Sequence, residues 1–121
     1  MIDAIRDTNI IIDLLHELPR ADTWFSGQGN SKFGITPTIW GEIIAGALNK
    51  KDMQRLLRFL RRFEIVHVTP EDQFTDFYLS HGVEFEDCLI AAVAVRLGVP
   101  LYTRNVKHFT PLPALDERQP Y

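Results

Sequence analysis

The most distinctive hydropathy pattern lies over 86–95, where Glu86 and Asp87 are followed by Cys88-Leu89-Ile90-Ala91-Ala92-Val93-Ala94-Val95. A helix that is apolar all round has no solvent face and must be buried. The pattern therefore predicts an internal helix with acid at its amino end, closed by Gly98. The stretch 50–63 has the opposite character. Met53, Leu56, Leu57 and Leu60 recur at helical spacing, and Lys51, Arg55, Arg58 and Arg62 form a basic stripe beside them. Further helices are expected over 10–15, 21–25, 38–48, 69–80 and 106–109. The first is signalled by the capping residues Asp7 and Asn9, and the fourth by Thr69-Pro70 at its start and Gly82 at its end. Short strands are predicted over 2–6, 32–36, 64–68 and 100–103, and one edge strand in the irregular tail 111–121. Strands alternating with helices imply an α/β fold, a parallel sheet with helices on both faces. Ligands in such folds gather at the carboxyl ends of the strands.

Composition adds limits to this picture. A chain of 121 residues, 45% hydrophobic and 24% charged, suits a single domain spanning 1–121. The one cysteine, Cys88, cannot form an internal disulfide or a cysteine zinc site, and its apolar surroundings predict a buried thiol. No apolar run approaches the ~18 residues of a membrane span. The amino end lacks the basic start and apolar core of a signal peptide, so a cytoplasmic protein is expected. The net charge of −3 excludes a surface that is basic overall. A polyanionic partner would need a local basic patch or bridging metal ions.

The candidate chemistry is acidic. Asp7 ends the first strand, Glu42 lies one turn into the helix after the second, Asp87 opens the buried helix, and Asn105 follows the strand at 100–103. Each has an ordinary role when taken alone: helix cap, exposed helix residue, or turn residue. Together they place carboxylates where ligands bind. Clustered carboxylates repel, and a hard divalent cation such as magnesium or manganese resolves that repulsion through oxygen ligands. Such ions activate water and stabilise the charge of a phosphodiester under attack, so no serine, cysteine or histidine nucleophile is required.

Four motifs carry a family resemblance. Asp7-Thr8-Asn9-Ile10-Ile11-Ile12-Asp13 resembles the opening motif of PIN domains. Trp40-Gly41-Glu42-Ile43-Ile44-Ala45-Gly46 resembles the segment of their second acid, and Asp87-Cys88-Leu89-Ile90-Ala91-Ala92 that of the third. Thr103-Arg104-Asn105-Val106-Lys107-His108-Phe109 is similar to the closing motif. All four occur in family order, and their style resembles that of VapC-type toxins, the ribonuclease halves of bacterial toxin–antitoxin pairs. The resemblance implies a PIN-like α/β/α sandwich and a Mg2+- or Mn2+-dependent endoribonuclease. It also implies a homodimer inhibited by a small antitoxin that enters the active-site groove. Asp7, Glu42 and Asp87 match the metal ligands and Asn105 the fourth catalytic position, with Glu86 as a substitute ligand.

Thr8 and Thr103 are expected to hydrogen-bond the carboxylates. Arg104 and Lys107 are expected to contact phosphate ahead of the basic stripe, and His108 is the one histidine near the site. The sequence departs from the family pattern in three places. Arg6 stands where an apolar residue is usual, the 69–82 helix is short, and Glu84 and Glu86 crowd Asp87. Two rival readings remain. A signalling receiver domain would need an Asp after the central strand at 64–68, where Thr69-Pro70 stands. A PIN-fold RNA- or protein-binding module with weak or no catalysis is the other.

Overall fold

The strand β1 (Ala4–Arg6) is only three residues long, yet all three are buried. It sits at the centre of a five-stranded sheet among the described residues, with β2 (Phe33–Ile35) on one side and β4 (Leu101–Tyr102) on the other. The outer strands are β3 (Glu64–Ile65), next to β2, and β5 (Glu117–Arg118), next to β4. Every pairing is parallel, with Ile5 opposite both Gly34 and Leu101. The computed structural model describes residues 1–69, 85–109 and 114–121. The architecture is the α/β fold with a parallel sheet that the alternation predicts. Successive strands run outward from β1 through β2 to β3, and the chain then returns to β4 on the other side of β1. The carboxyl ends of β1 and β4 thus flank the point where the strand order reverses, which is where open parallel sheets bind ligands.

Among the described residues the helices are α1 (Thr8–Leu15), α2 (Pro19–Ser26), α3 (Pro37–Ala45), α4 (Lys50–Leu60), α5 (Phe85–Leu97) and the single turn α6 (Val106–Phe109). Several bounds differ from expectation for local reasons. β2 stops before Thr36 because Thr36 caps α3, its Oγ1 accepting the Ile39 N–H at 3.4 Å, with Pro37 in the first turn. β3 is two residues rather than five, although the Val66 N–H still reaches the Ile35 carbonyl at 2.8 Å. α2 is longer than predicted, since Pro19 opens it. The expected helix over 69–80, with its closing Gly82, lies outside the described residues.

The core lies on both sides of the sheet. Cys88, Ile90, Ala91, Ala92, Val93 and Ala94 of α5 are all buried, as an all-round apolar helix requires. Gly98 ends that helix in the left-handed conformation, φ +67°. Gly34 permits close packing across β2, since a Cβ there would stand 2.7 Å from Val66 Cγ2. Gly41 does not serve that purpose, because none of the described residues lies within 4 Å of where its Cβ would be. Arg6 departs most from expectation. Its charge does not prevent β1 from forming; the guanidinium is fully buried instead, ringed by Trp24, Phe25, Phe33 and Phe63. Among the described residues no helix is long and apolar enough to cross a membrane.

Candidate active site

Asp7 follows β1 directly and caps α1, its Oδ1 accepting the Thr8 N–H at 2.8 Å. The cap turns the carboxylate toward the end of β4. There Thr103, completely buried, donates its hydroxyl to Asp7 Oδ2 at 2.8 Å. The Asn9 amide donates to Asp7 Oδ2 at 3.3 Å and to Thr103 Oγ1 at 3.4 Å. Its carbonyl oxygen accepts the Arg104 N–H at 3.1 Å. The parallel pairing of β1 and β4 makes this possible by bringing their ends side by side.

Glu42 of α3 approaches from the other side. The Thr8 hydroxyl donates to Glu42 Oε2 at 3.3 Å, linking the second acid to the start of α1. Partial burial raises the Glu42 pKa above its ordinary value. The neighbouring Glu86 carboxylate raises it further, and Asp7 adds a smaller push; the Thr8 hydrogen bond opposes them. Asp7, Glu42, Glu86 and Asp87 all line one cavity of about 90 Å³. Its apolar walls include Ile39, Leu89 and Ile90, with Thr36 and Thr38 on the α3 side. Asp87, in the first turn of α5, also faces the His108 ring, with Nδ1 3.7 Å from Oδ2. Cys88 is buried beside it, and burial together with the Asp87 charge raises its thiol pKa. That thiol is an inert core group rather than a nucleophile.

The turn after β4 carries the remaining candidates. Asn105 is exposed, and its N–H donates to Thr103 Oγ1 at 2.9 Å. Arg104 is half-exposed and pairs through Nε with Asp13 Oδ2 at 2.6 Å. Lys107 is exposed on α6. The basic stripe on α4 lies away from this cavity, along a groove with Leu14, Leu15 and Phe59 that Arg55, Arg58 and Arg62 border. Arg55 is paired with Asp52 at 2.8 Å, and Arg62 stacks over Phe59. Sequence reasoning missed two residues here, the cross-linking role of Asn9 and the buried acid Asp13. The signal for Asp13 was available: a charged residue inside the apolar run 10–15 needs a partner when buried.

The donors around the cavity are all oxygens, and like charges crowd there at the expense of Glu42 ionisation. A hard divalent cation suits that set. Among the described residues no three carboxylate, imidazole or thiol groups stand close enough to enclose an ion unaided. Magnesium and manganese take oxygen donors of this kind, one or two carboxylates being complemented by water and substrate oxygens.

Solved structures share this fold over nearly the whole chain. A toxin–antitoxin complex from Klebsiella pneumoniae matches with TM-score 0.84 and 26% identity, covering 98% of each chain. VapBC-1 from nontypeable Haemophilus influenzae matches with TM-score 0.80 and 23% identity, again over 98% of each chain. VapBC2 from Rickettsia felis, bound to a DNA fragment from its promoter, matches with TM-score 0.78 and 23% identity over 98% of each chain. No curated protein sequence matches significantly. The PIN domain profile matches residues 4–110, a span that holds every acid of the cavity and the turn that supports Asp7, and the chain belongs to the PIN-domain family.

Proposed function

We propose that the protein is a Mg2+- or Mn2+-dependent endoribonuclease that hydrolyses RNA phosphodiester bonds, acting as the VapC-type toxin of a type II toxin–antitoxin system. One observation carries this reading: the carboxylates of Asp7, Glu42, Glu86 and Asp87, from three separate elements, converge on one cavity at the carboxyl end of the sheet. Membership of the PIN family and likeness to toxin–antitoxin complexes support it.

Asp7, Glu42 and Asp87 would hold the metal, one or two of them directly and the rest through bound water. When bound, the cation supplies Lewis-acid stabilisation of the phosphodiester and lowers the pKa of an attacking water. The chain's own groups do the rest. Thr103 and Thr8 orient the Asp7 and Glu42 carboxylates through the hydrogen bonds described above. Asn105, on the turn that carries Thr103, would contribute a neutral amide able to hold a water without adding charge. Arg104 and Lys107 offer cationic contacts to the RNA phosphates. Ile39, Leu89 and Ile90 keep one wall of the cavity apolar.

The partners in this reading are the RNA substrate, a second copy of the chain in a homodimer, and a small cognate antitoxin whose segment enters the groove. The setting is the cytoplasm. The test is cleavage of RNA in magnesium or manganese by the wild type, Asp7→Asn and Asp87→Asn. Cleavage by the wild type, falling at least about a hundredfold in each variant, is the expected outcome. Equal cleavage by all three would sink the reading. A second reading, a PIN-fold binding module without catalysis, is favoured by the neutral Asn105 and by the pairing of Arg104 with Asp13. Absence of metal binding at millimolar concentration would select it.

A further inference from the structure

Asp13 lies outside the acidic cavity and is only 9% exposed. Two groups converge on one of its oxygens. Arg104 Nε stands 2.6 Å from Oδ2, and the Tyr121 hydroxyl donates to the same atom at 2.7 Å. Tyr121 is itself packed edge-on against Trp24, with ring centroids 6.1 Å apart. Burial, and then the Asp13 hydrogen bond, push the Tyr121 phenol well above the usual tyrosine range, so it stays a donor.

Arg104 is also held through its backbone, since its N–H donates to Asn9 Oδ1 at 3.1 Å. Asn9 and Asp13 are four residues apart on α1 and share one face. Arg104 is thus fixed to that face at two points one turn apart. Its neighbours in sequence are Thr103, which donates to Asp7, and Asn105, whose N–H donates to Thr103 Oγ1. A surface ion pair serving only to tether the chain needs neither a second donor nor this burial.

We propose that Asp13, locked by Tyr121, is a positioning residue of the active site: through Arg104 it holds the 103–105 turn against Asp7. The catalytic consequence rests on the nuclease reading; the structural consequence does not. Asp13 touches no reacting atom in this scheme. It sets where Thr103 and Asn105 stand relative to Asp7.

The test combines amide hydrogen exchange by NMR with steady-state cleavage of single-stranded RNA in magnesium, on the wild type, Asp13→Leu, Asp13→Glu and Tyr121→Phe. Asp13→Leu should speed exchange at the Arg104 and Asn105 amides by about tenfold, the scale of one charge-assisted hydrogen bond, with Ile43 and Val93 unchanged. It should lower kcat by a similar factor and leave KM within about threefold. Asp13→Glu should restore both, and Tyr121→Phe should give a smaller loss of about threefold.

Unchanged exchange at Arg104 and Asn105 in both Asp13→Leu and Tyr121→Phe overturns the proposal. So does a rise in KM alone, which would make Asp13 a holder of Arg104 for phosphate binding only. If Asp13→Leu does not fold, Tyr121→Phe, which keeps the ring and its packing, decides the matter by the same exchange readout. Faster exchange in the variants with no cleavage by the wild type sinks the nuclease reading while supporting the tie between Asp13 and the turn.

Discussion

The Arg6 guanidinium lies 3.6 Å from the Phe33 ring centroid and within 5.3 Å of three further rings, and among the described residues none of its nitrogens has a hydrogen-bond partner. Stacking on aromatic faces returns part of the cost of burying a charge, about 0.5–2 kcal/mol. It does not return all of it, and burial lowers the Arg6 pKa to about 9. Replacing an unsatisfied buried charge by a hydrophobe is stabilising where packing is kept. Arg6→Leu should therefore raise stability at pH 7.5 by about 1–3 kcal/mol, read from urea unfolding. The sign with pH follows from the lowered pKa. Below about pH 9 the side chain is charged in both folded and unfolded chains, so the full cost is present. Above it the folded form loses its proton first, and the cost falls as pH rises toward the ordinary arginine range. The advantage of Arg6→Leu should shrink by about 1 kcal/mol between pH 7.5 and pH 10. An equal advantage at both pH values would mean that the buried charge is not what limits stability.

Among the elements, α5 was fully legible, because an unbroken apolar run with acid at its front admits only a buried helix with Asp87 at its edge. The end of α3 was not. The residues Ala45 to Leu48 suit a helix by propensity, so the pattern extended it to 48, whereas it stops at Ala45. The competing signal is the next helix's cap. Asn49 Oδ1 accepts the Asp52 N–H at 2.9 Å, and Asp52 Oδ2 accepts the Leu48 N–H at 3.0 Å, a reciprocal capping pair. Those bonds satisfy donors that a continuous helix would have satisfied itself, and they free α4 to turn its basic face outward. The Leu48 hydrogen bond and the Arg55 ion pair hold the Asp52 carboxyl below its usual pKa range, in keeping with a charged cap. Asn49→Ala should cost about 1 kcal/mol, measured by chemical denaturation, with no change in the acidic cavity. Of the candidate site, three motif acids, Asp7, Glu42 and Asp87, were legible in the sequence and line one cavity, but the ties made by Asn9 and Asp13 depend on which strand lies beside β1, and one sequence alone does not encode that adjacency visibly.

At the scale of the whole molecule, charge decides how a polyanion reaches the site. The chain carries a net charge of −3, and four carboxylates line the cavity. RNA phosphates brought to that cavity meet repulsion at short range, where partial burial weakens screening. Among the described residues the cations near it are few: Arg104 is paired with Asp13, and Lys107 stands on the adjacent turn. Arg58 and Arg62 border a separate groove. Under the nuclease reading, the divalent cation must therefore supply attraction as well as chemistry. Binding of a single-stranded RNA, read by fluorescence anisotropy immediately after mixing, should be at least about tenfold weaker in chelator than in millimolar magnesium. Asp7→Asn should remove most of that gain. The salt dependence should also be shallow. Two or three phosphate contacts on a single strand give a slope of about −1.4 to −2.1 in log K against log salt. RNA binding in chelator as tight as in magnesium, or a slope several times steeper, would move the RNA from the acidic cavity to the arginine-bordered groove of α4.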